Sequence, residues 1–365
     1  MPLKFSVKVA LIAVGLTLFI VDLILIKSLS IAQHLLEKSV QTENSINSKT
    51  AHQLQSPSAN SEIRPIIILS TFRSGSTLTG DILQQAQGSF YLYEPLNPLN
   101  YLMYGVKNAT RLQLVNGSTR SVGAYDFNKM SVNILTSLIT CDFWSLDIDT
   151  ASHGFLFYSR RSIPYITCVN LTKRRTTLLD AVRKCMPIWK ENCENSTFRI
   201  FKVVRLSMDW MEILLKKFPR LMVVHLVRDP RAIQVSRDKL GDNMFENLRH
   251  GFTKLCNRLA WNLYFETRLN KTYGRIFRLY YETLALHPFK TSKWLYNSLG
   301  LTYTSEVNAH VHHLTRAGVP DDCPTCAVRA NSSAHVHSWK KIFNRTHLDE
   351  IKEVCGSYMK DLGYT

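Results

Sequence analysis

Apolar positions along this chain fall into runs of changing period. Residues 9–26 form one long apolar run broken by Asp22 and flanked by Lys4, Lys8 and Lys27. Its length suits a short membrane span. From 27 to 62 no apolar period persists: Gln, Ser, Asn, Thr and Lys dominate. Such a segment cannot bury enough surface to fold by itself. Beyond residue 63 short β-branched and aromatic runs take over. Residues 66–69, 90–93, 198–206 and 221–227 read as buried strands. Between them the period lengthens. Leu78, Ile82 and Leu83 share one face of a predicted helix over 77–86, and a second helix is predicted to begin at Pro230, whose missing N–H is tolerated in a first turn. Residues 347–362 carry Leu348, Ile351, Val354, Cys355, Met359 and Leu362 at helical spacing and read as a packing helix. No internal repeat is visible. The pattern predicts an α/β fold with a mainly parallel sheet and helices on both faces, P-loop-like in outline, in a single luminal domain.

The same pattern divides the chain: 1–8 as a short cytoplasmic tail, 9–26 as a transmembrane signal-anchor, 27–62 as a luminal stem and 63–365 as the folded domain. Lys4 and Lys8 before the span fit the positive-inside bias. The alternative is a cleaved signal peptide ending at Ser30-Ile31-Ala32, a site farther from the apolar run than usual. Seven N-x-[S/T] sequons (Asn108, Asn116, Asn170, Asn195, Asn270, Asn331 and Asn344) lie beyond the span. So do all eight cysteines (141, 168, 185, 193, 256, 323, 326 and 355). An even count in an oxidising lumen predicts disulfides. Cys323 and Cys326, with His335 and His337 after them and His310, His312 and His313 before, lack the spacing of a closed four-ligand zinc site, and no βαβ start surrounds Cys323 for a redox role. No metal is expected.

Charge narrows the partners. Lys and Arg total 45 against 28 Asp and Glu, a formal net charge of +17. That excess favours an anionic partner. No basic-aromatic repeat or nucleic-acid motif accompanies it, so nucleic acid is not expected.

The candidate chemistry sits in two segments. Residues 66–80 read I-I-I-L-S-T-F-R-S-G-S-T-L-T-G. A strand, a tight Gly turn and a helix start aim several backbone N–H groups at one spot, and the helix dipole favours an anion there. Thr71, Phe72, Arg73, Ser74, Gly75, Ser76 and Thr77 form this cradle. A Walker nucleoside-triphosphate loop needs G-x-x-x-x-G-K-[ST], which is missing, since the basic residue here precedes the Gly. Residues 221–237 read L-M-V-V-H-L-V-R-D-P-R-A-I-Q-V-S-R, again strand, turn and helix. Arg228 at the strand exit and Ser236 two turns into the helix are placed to hold a second, separate phosphate.

Together the segments resemble the Golgi carbohydrate sulfotransferases that use 3′-phosphoadenylyl sulfate (PAPS), in the branch acting on sugar 6-hydroxyls (chondroitin, keratan and N-acetylglucosamine 6-O-sulfotransferases). Arg73-Ser74-Gly75-Ser76-Thr77 matches that family's 5′-phosphosulfate turn. Arg228-Asp229-Pro230-Arg231 with Ser236-Arg237 matches its 3′-phosphate segment. Tyr93-Glu94-Pro95 and the terminal Gly363-Tyr364 are similar too, and the resemblance spans about residues 64–364. It implies transfer of a sulfuryl group from PAPS to the 6-OH of GlcNAc, GalNAc or Gal in a glycan or glycosaminoglycan, in the Golgi, by a single-pass type II membrane protein. The donor motifs do not distinguish acceptors, so another hydroxyl or protein tyrosine stays open, as does a membrane-anchored glycan or nucleotide binder without catalysis. The sequence leaves the oligomeric state open.

Sulfuryl transfer needs positioning, a base, and cations on the leaving side. The resemblance gives Arg73 the donor contact, which a planar guanidinium makes bidentately. Glu94 is the candidate base, at the end of the 90–93 strand, where Pro95 is expected to hold it extended. Lys202, on the 198–206 strand, looks similar to a family lysine approaching the sulfate. Arg205 either points to the other face or lies past the strand end near substrate. His225 reads as a satisfied core residue. Arg329 and Trp339 stand where the family has residues near the nucleotide, although the Cys pair before Arg329 departs from the family pattern.

Overall fold

The computed structural model of the chain describes residues 63–105, 109–123, 125–241, 243–318 and 327–364. The expected tail, anchor and stem, the Asn108 sequon and the Cys323/Cys326 pair lie outside them. Among the described residues no helix is long and apolar enough to cross a membrane.

The strands are Arg64–Ser70 (β1), Ser89–Tyr93 (β2), Arg111–Gln113 (β3), Thr119–Ser121 (β4), Phe198–Val203 (β5), Met222–Val227 (β6) and Ile276–Tyr280 (β7). β3 and β4 form a small antiparallel ribbon, while the other five make a parallel sheet in the order β2-β5-β1-β6-β7. β1 sits at the centre because it can be apolar on both faces. Ile66 and Ile68 enter one core, Ile67 and Leu69 the other, and all four are fully buried. This is the period-2 alternation of a strand covered on both sides.

Helices that matter for the site are Ser76–Leu83 (α1), Phe127–Ile139 (α2), Leu178–Glu194 (α3), Pro230–Asp238 (α4), Leu248–Tyr273 (α5), Ser305–Thr315 (α6) and Arg345–Asp361 (α7). α2 and α3 contribute to one face of the sheet, α1 and α6 to the other. A third core joins α4, α5 and α7. Among the described residues three disulfides form, Cys141–Cys193, Cys168–Cys185 and Cys256–Cys355. The last fastens α7 to α5.

The expected strand over 198–206 stops at Val203, where its register with β1 runs out at Leu69, so Arg205 lies beyond the strand end. β7 was not legible. It is an edge strand in which only Ile276 and Leu279 are fully buried, and Arg278 interrupts its apolar run. His225 is the satisfied core residue expected: its Nδ1 lies 2.5 Å from Glu266 Oε2, and Glu266 also accepts from Arg278 Nε at 2.8 Å.

Candidate active site

The carboxyl ends of all five parallel strands, β1, β2, β5, β6 and β7, open onto one cavity of about 500 Å³. Open parallel sheets bind ligands at this edge, where neighbouring connections diverge. The turn after β1 is held by the Ser74 N–H donating to the Thr71 carbonyl at 3.1 Å. Arg73 (φ 72°) and Gly75 (φ 93°) take left-handed backbone. Gly75 is required twice over. Its φ is strained for other residues, and a Cβ there would stand 2.2 Å from Tyr281 Cδ2. Gly75 is also the N-cap of α1, so the first N–H groups of that helix are left for a ligand.

The second segment comes directly against the first. Arg73 Nε donates to Ser236 Oγ at 3.0 Å, and Arg228 Nη1 donates to the Arg73 carbonyl at 2.8 Å. The Arg228 guanidinium lies 4.1 Å over the Tyr281 ring. Burial first, then the charges of Arg228 and Arg329, lower the Arg73 pKa. Four arginines, Arg73, Arg205, Arg228 and Arg329, line a cavity in which, among the described lining residues, Glu94 supplies the carboxylate. Among the described residues Arg228 Nε, at the cavity wall, has no hydrogen-bond partner, and neither does Ser74 Oγ, buried inside the turn. Buried groups of this kind are normally satisfied, so Arg228, which lines the cavity, points to a polar ligand.

The expected phosphate residues divide in two. Phe72, Arg73, Gly75, Ser76, Thr77, Arg228 and Ser236 line the cavity, as does Arg329. Thr71, Ser74, Asp229, Pro230, Arg231 and Arg237 are absent from its lining and hold the loops. Asp229 caps α4 by accepting from the Arg231 N–H at 2.8 Å, and its Oδ2 pairs with Arg231 Nη2 at 2.8 Å. Arg231 in turn stacks 3.7 Å over Trp339. The Asp229 N–H donates to Glu282 Oε1 at 3.0 Å, and the Tyr364 hydroxyl donates to Glu282 Oε2 at 3.0 Å. Arg237 reaches the Phe72 carbonyl at 3.4 Å.

Glu94 and Lys202 meet on the opposite wall. Glu94 is not extended as Pro95 led us to expect: its φ is 44°. The tertiary contacts of its carboxylate override the local bias, at a cost of about 1–3 kcal/mol. Oε1 accepts from Lys202 Nζ at 2.9 Å, and Oε2 accepts from Arg205 Nη1. Burial pushes the Glu94 pKa up, but Lys202 and Arg205 outweigh it and hold the carboxyl below its ordinary value. Lys202, on β5 opposite Ile68 of β1 and Tyr93 of β2, also donates to Thr77 Oγ1 at 3.0 Å and lies 3.6 Å over the Tyr93 ring. One ammonium thus couples the phosphate turn to the candidate base. Tyr93 packs on Phe155 and Tyr158, which complete this wall.

Tyr281, Phe155, Tyr158, Ser332 and His335 line the cavity and were missed in the sequence. Only Tyr281 left a signal, since it follows β7, and recognising that strand would have put it at the carboxyl edge.

A profile of the Sulfotransferase family matches residues 65–305. Carbohydrate sulfotransferase 1 of Danio rerio is 27% identical over 335 residues, covering 82% of this chain and 77% of the relative. Carbohydrate sulfotransferase 3 of Rattus norvegicus is 24% identical over 339 residues, covering 82% and 68%. Carbohydrate sulfotransferase 5 of Homo sapiens is 23% identical over 334 residues, covering 85% and 79%.

Proposed function

This chain belongs to the Sulfotransferase family, and on that premise we propose that it moves a sulfuryl group from PAPS to a sugar 6-hydroxyl of GlcNAc, GalNAc or Gal in a glycan or glycosaminoglycan. The observation that carries this reading is the Arg73–Ser236 and Arg228–Arg73 contact around an acid-poor cavity, where Arg228 Nε has no partner among the described residues. A ligand with two anionic groups at opposite ends of a nucleoside fits that arrangement. Arg73, Thr77 and the first amides of α1 would hold the 5′-phosphosulfate. Arg228 and Ser236 would hold the 3′-phosphate.

Glu94 takes the proton from the acceptor hydroxyl. In the ion-paired state it is a weak base. An anion beside Thr77 competes for Lys202, and a Glu94 that loses this partner regains basicity while Lys202 meets the developing charge on the leaving side. Tyr93, Phe155 and Tyr158 offer apolar faces for the sugar ring. The apolar run 9–26 and the disulfides support a type II Golgi membrane protein with its catalytic domain in the lumen. Five sequon asparagines, 116, 195, 270, 331 and 344, are exposed in the folded domain, which accords with that reading.

Radiolabelled PAPS offered to a panel of desulfated glycans, followed by disaccharide mapping, tests the reading. Label at a ring position other than C6 would correct the hydroxyl. Label on a tyrosine peptide but on no glycan would move the enzyme to another acceptor class. Donor binding without transfer to any acceptor would make it a binding protein.

A further inference from the structure

The catalytic cavity ends at Arg205, and a second depression begins there. Arg205 lines both the cavity and an open groove of about 400 Å³ beside it. Asn257, Arg258 and Trp261 of α5 form one side of the groove, Ser207 in the loop after β5 and Asn128 of α2 the other. The sides are tied together: Arg258 Nη2 donates to the Val204 carbonyl at 3.3 Å, and the Met208 N–H donates to Asn262 Oδ1 at 2.9 Å. Among the described residues no carboxylate pairs with Arg258. Desolvation of its guanidinium, then the like charge of Arg205, lowers the Arg258 pKa. Trp261 is 51% exposed, with its ring 4.8 Å from Phe265. An indole resting on a neighbouring ring presents a fixed apolar face.

We propose that this groove is an acceptor subsite for an anionic sugar unit adjoining the one that is sulfated. Arg258, with Arg205, takes a ring carboxylate or an ester sulfate, Trp261 takes the apolar face of the ring, and the Asn128 and Asn257 amides take its hydroxyls. The inference rests on the transfer reading above, because a hydroxyl delivered to Glu94 leaves the next unit of the chain beyond Arg205. Guanidinium forks match carboxylate and sulfate oxygens, and aromatic faces match the C–H side of a pyranose.

The test uses oligosaccharides of matched length: an unsulfated uronate-bearing one, its carboxyl-reduced counterpart, and a sulfated one on a backbone without uronate. The unaltered protein is expected to prefer one or both anionic acceptors over the neutral one, and the preferred arm identifies the anion. Arg258→Gln should cut that preference about five-fold through KM, the size of a solvent-open ion pair, and Arg258→Lys should restore part of it. Trp261→Ala should raise KM for the preferred acceptor. Affinity for adenosine 3′,5′-bisphosphate, measured by calorimetry, should hold in all three variants, which also reports that they are folded. Equal use of neutral and anionic acceptors, or a preference unmoved by Arg258→Gln, overturns the subsite and leaves the transfer reading standing. Absence of transfer to every acceptor by the unaltered protein overturns both.

Discussion

Arg73 and Ser236 are 163 positions apart, yet Arg73 Nε donates to Ser236 Oγ at 3.0 Å. This contact welds the two anion-binding segments into one surface. The residue proposed to hold the 5′ end of the donor is oriented by a residue proposed to hold the 3′ end.

Ser236→Ala should therefore harm both ends. A charge-assisted hydrogen bond lost from a part-buried site costs about 1.5–3 kcal/mol, or roughly 10–100-fold in affinity. Calorimetry should show adenosine 3′,5′-bisphosphate falling by that factor and its advantage over AMP shrinking. An advantage over AMP that survives intact would remove Ser236 from the 3′-phosphate. Arg73→Ala should weaken donor binding and also slow the chemical step.

Glu94→Gln separates chemistry from binding. Donor affinity should stay close to that of the unaltered protein, while turnover drops by about 10²–10⁴-fold for loss of a general base. Retention of most turnover would place the base elsewhere.

The same variant has a stability signature. Lys202 is buried against Glu94, and removing one partner of such a pair costs on the order of 3 kcal/mol. The folded-state pKa of Glu94 is depressed. Its contribution is thus fully present above the unfolded carboxylate value of about 4.3 and is lost as pH falls through the lower folded value. Thermal melts should show the difference between unaltered protein and Glu94→Gln to be largest near neutrality and to shrink in acid. A difference constant down to strongly acidic pH would contradict the pairing.

Gly75→Ala should collapse the donor site. The new methyl meets Tyr281 at 2.2 Å and the backbone stays at a φ of 93°, so the loop or the ring must move. Destabilisation of about 1–3 kcal/mol is expected, with donor affinity falling along with it. Tyr281→Ala in the same chain removes the clash but leaves the φ strain, so it should rescue only part of the loss. Full rescue would show that φ strain is unimportant there.

Cys256→Ala together with Cys355→Ala frees α7 from α5 across a separation of 99 residues. The melting free energy should fall by about 2–4 kcal/mol. Because α7 delivers Tyr364 to Glu282, which holds the Asp229 N–H, donor affinity should weaken as well. Non-reducing mass mapping should recover the three pairs described, and any other pairing among these six cysteines would overturn that part of the structure.

By itself the sequence determined the parts whose signal is local. Short β-branched and aromatic runs marked β1, β2, β5 and β6, because strands covered by helices bury most of their side chains, and the polar Arg199, Lys202 and His225 among them find partners. The turn at Arg73–Thr77 and the segment at Arg228–Arg237 were visible because left-handed glycine, a capping Asp229 and a helix-starting Pro230 each leave a residue-type signature. Tertiary structure decided the rest. β7 and Tyr281 were hidden because only Ile276 and Leu279 of that short strand are fully buried and Arg278 breaks its apolar run. Cysteine partners could not be paired, since pairing depends on which helices pack. The direct joining of Arg73 to Ser236, and the turn of Glu94 to φ 44° under the hold of Lys202 and Arg205, follow from charges meeting across strands. Sequence dictates each strand and turn by short-range sterics and burial, whereas the order β2-β5-β1-β6-β7 that sets these groups face to face exists only once the sheet has closed.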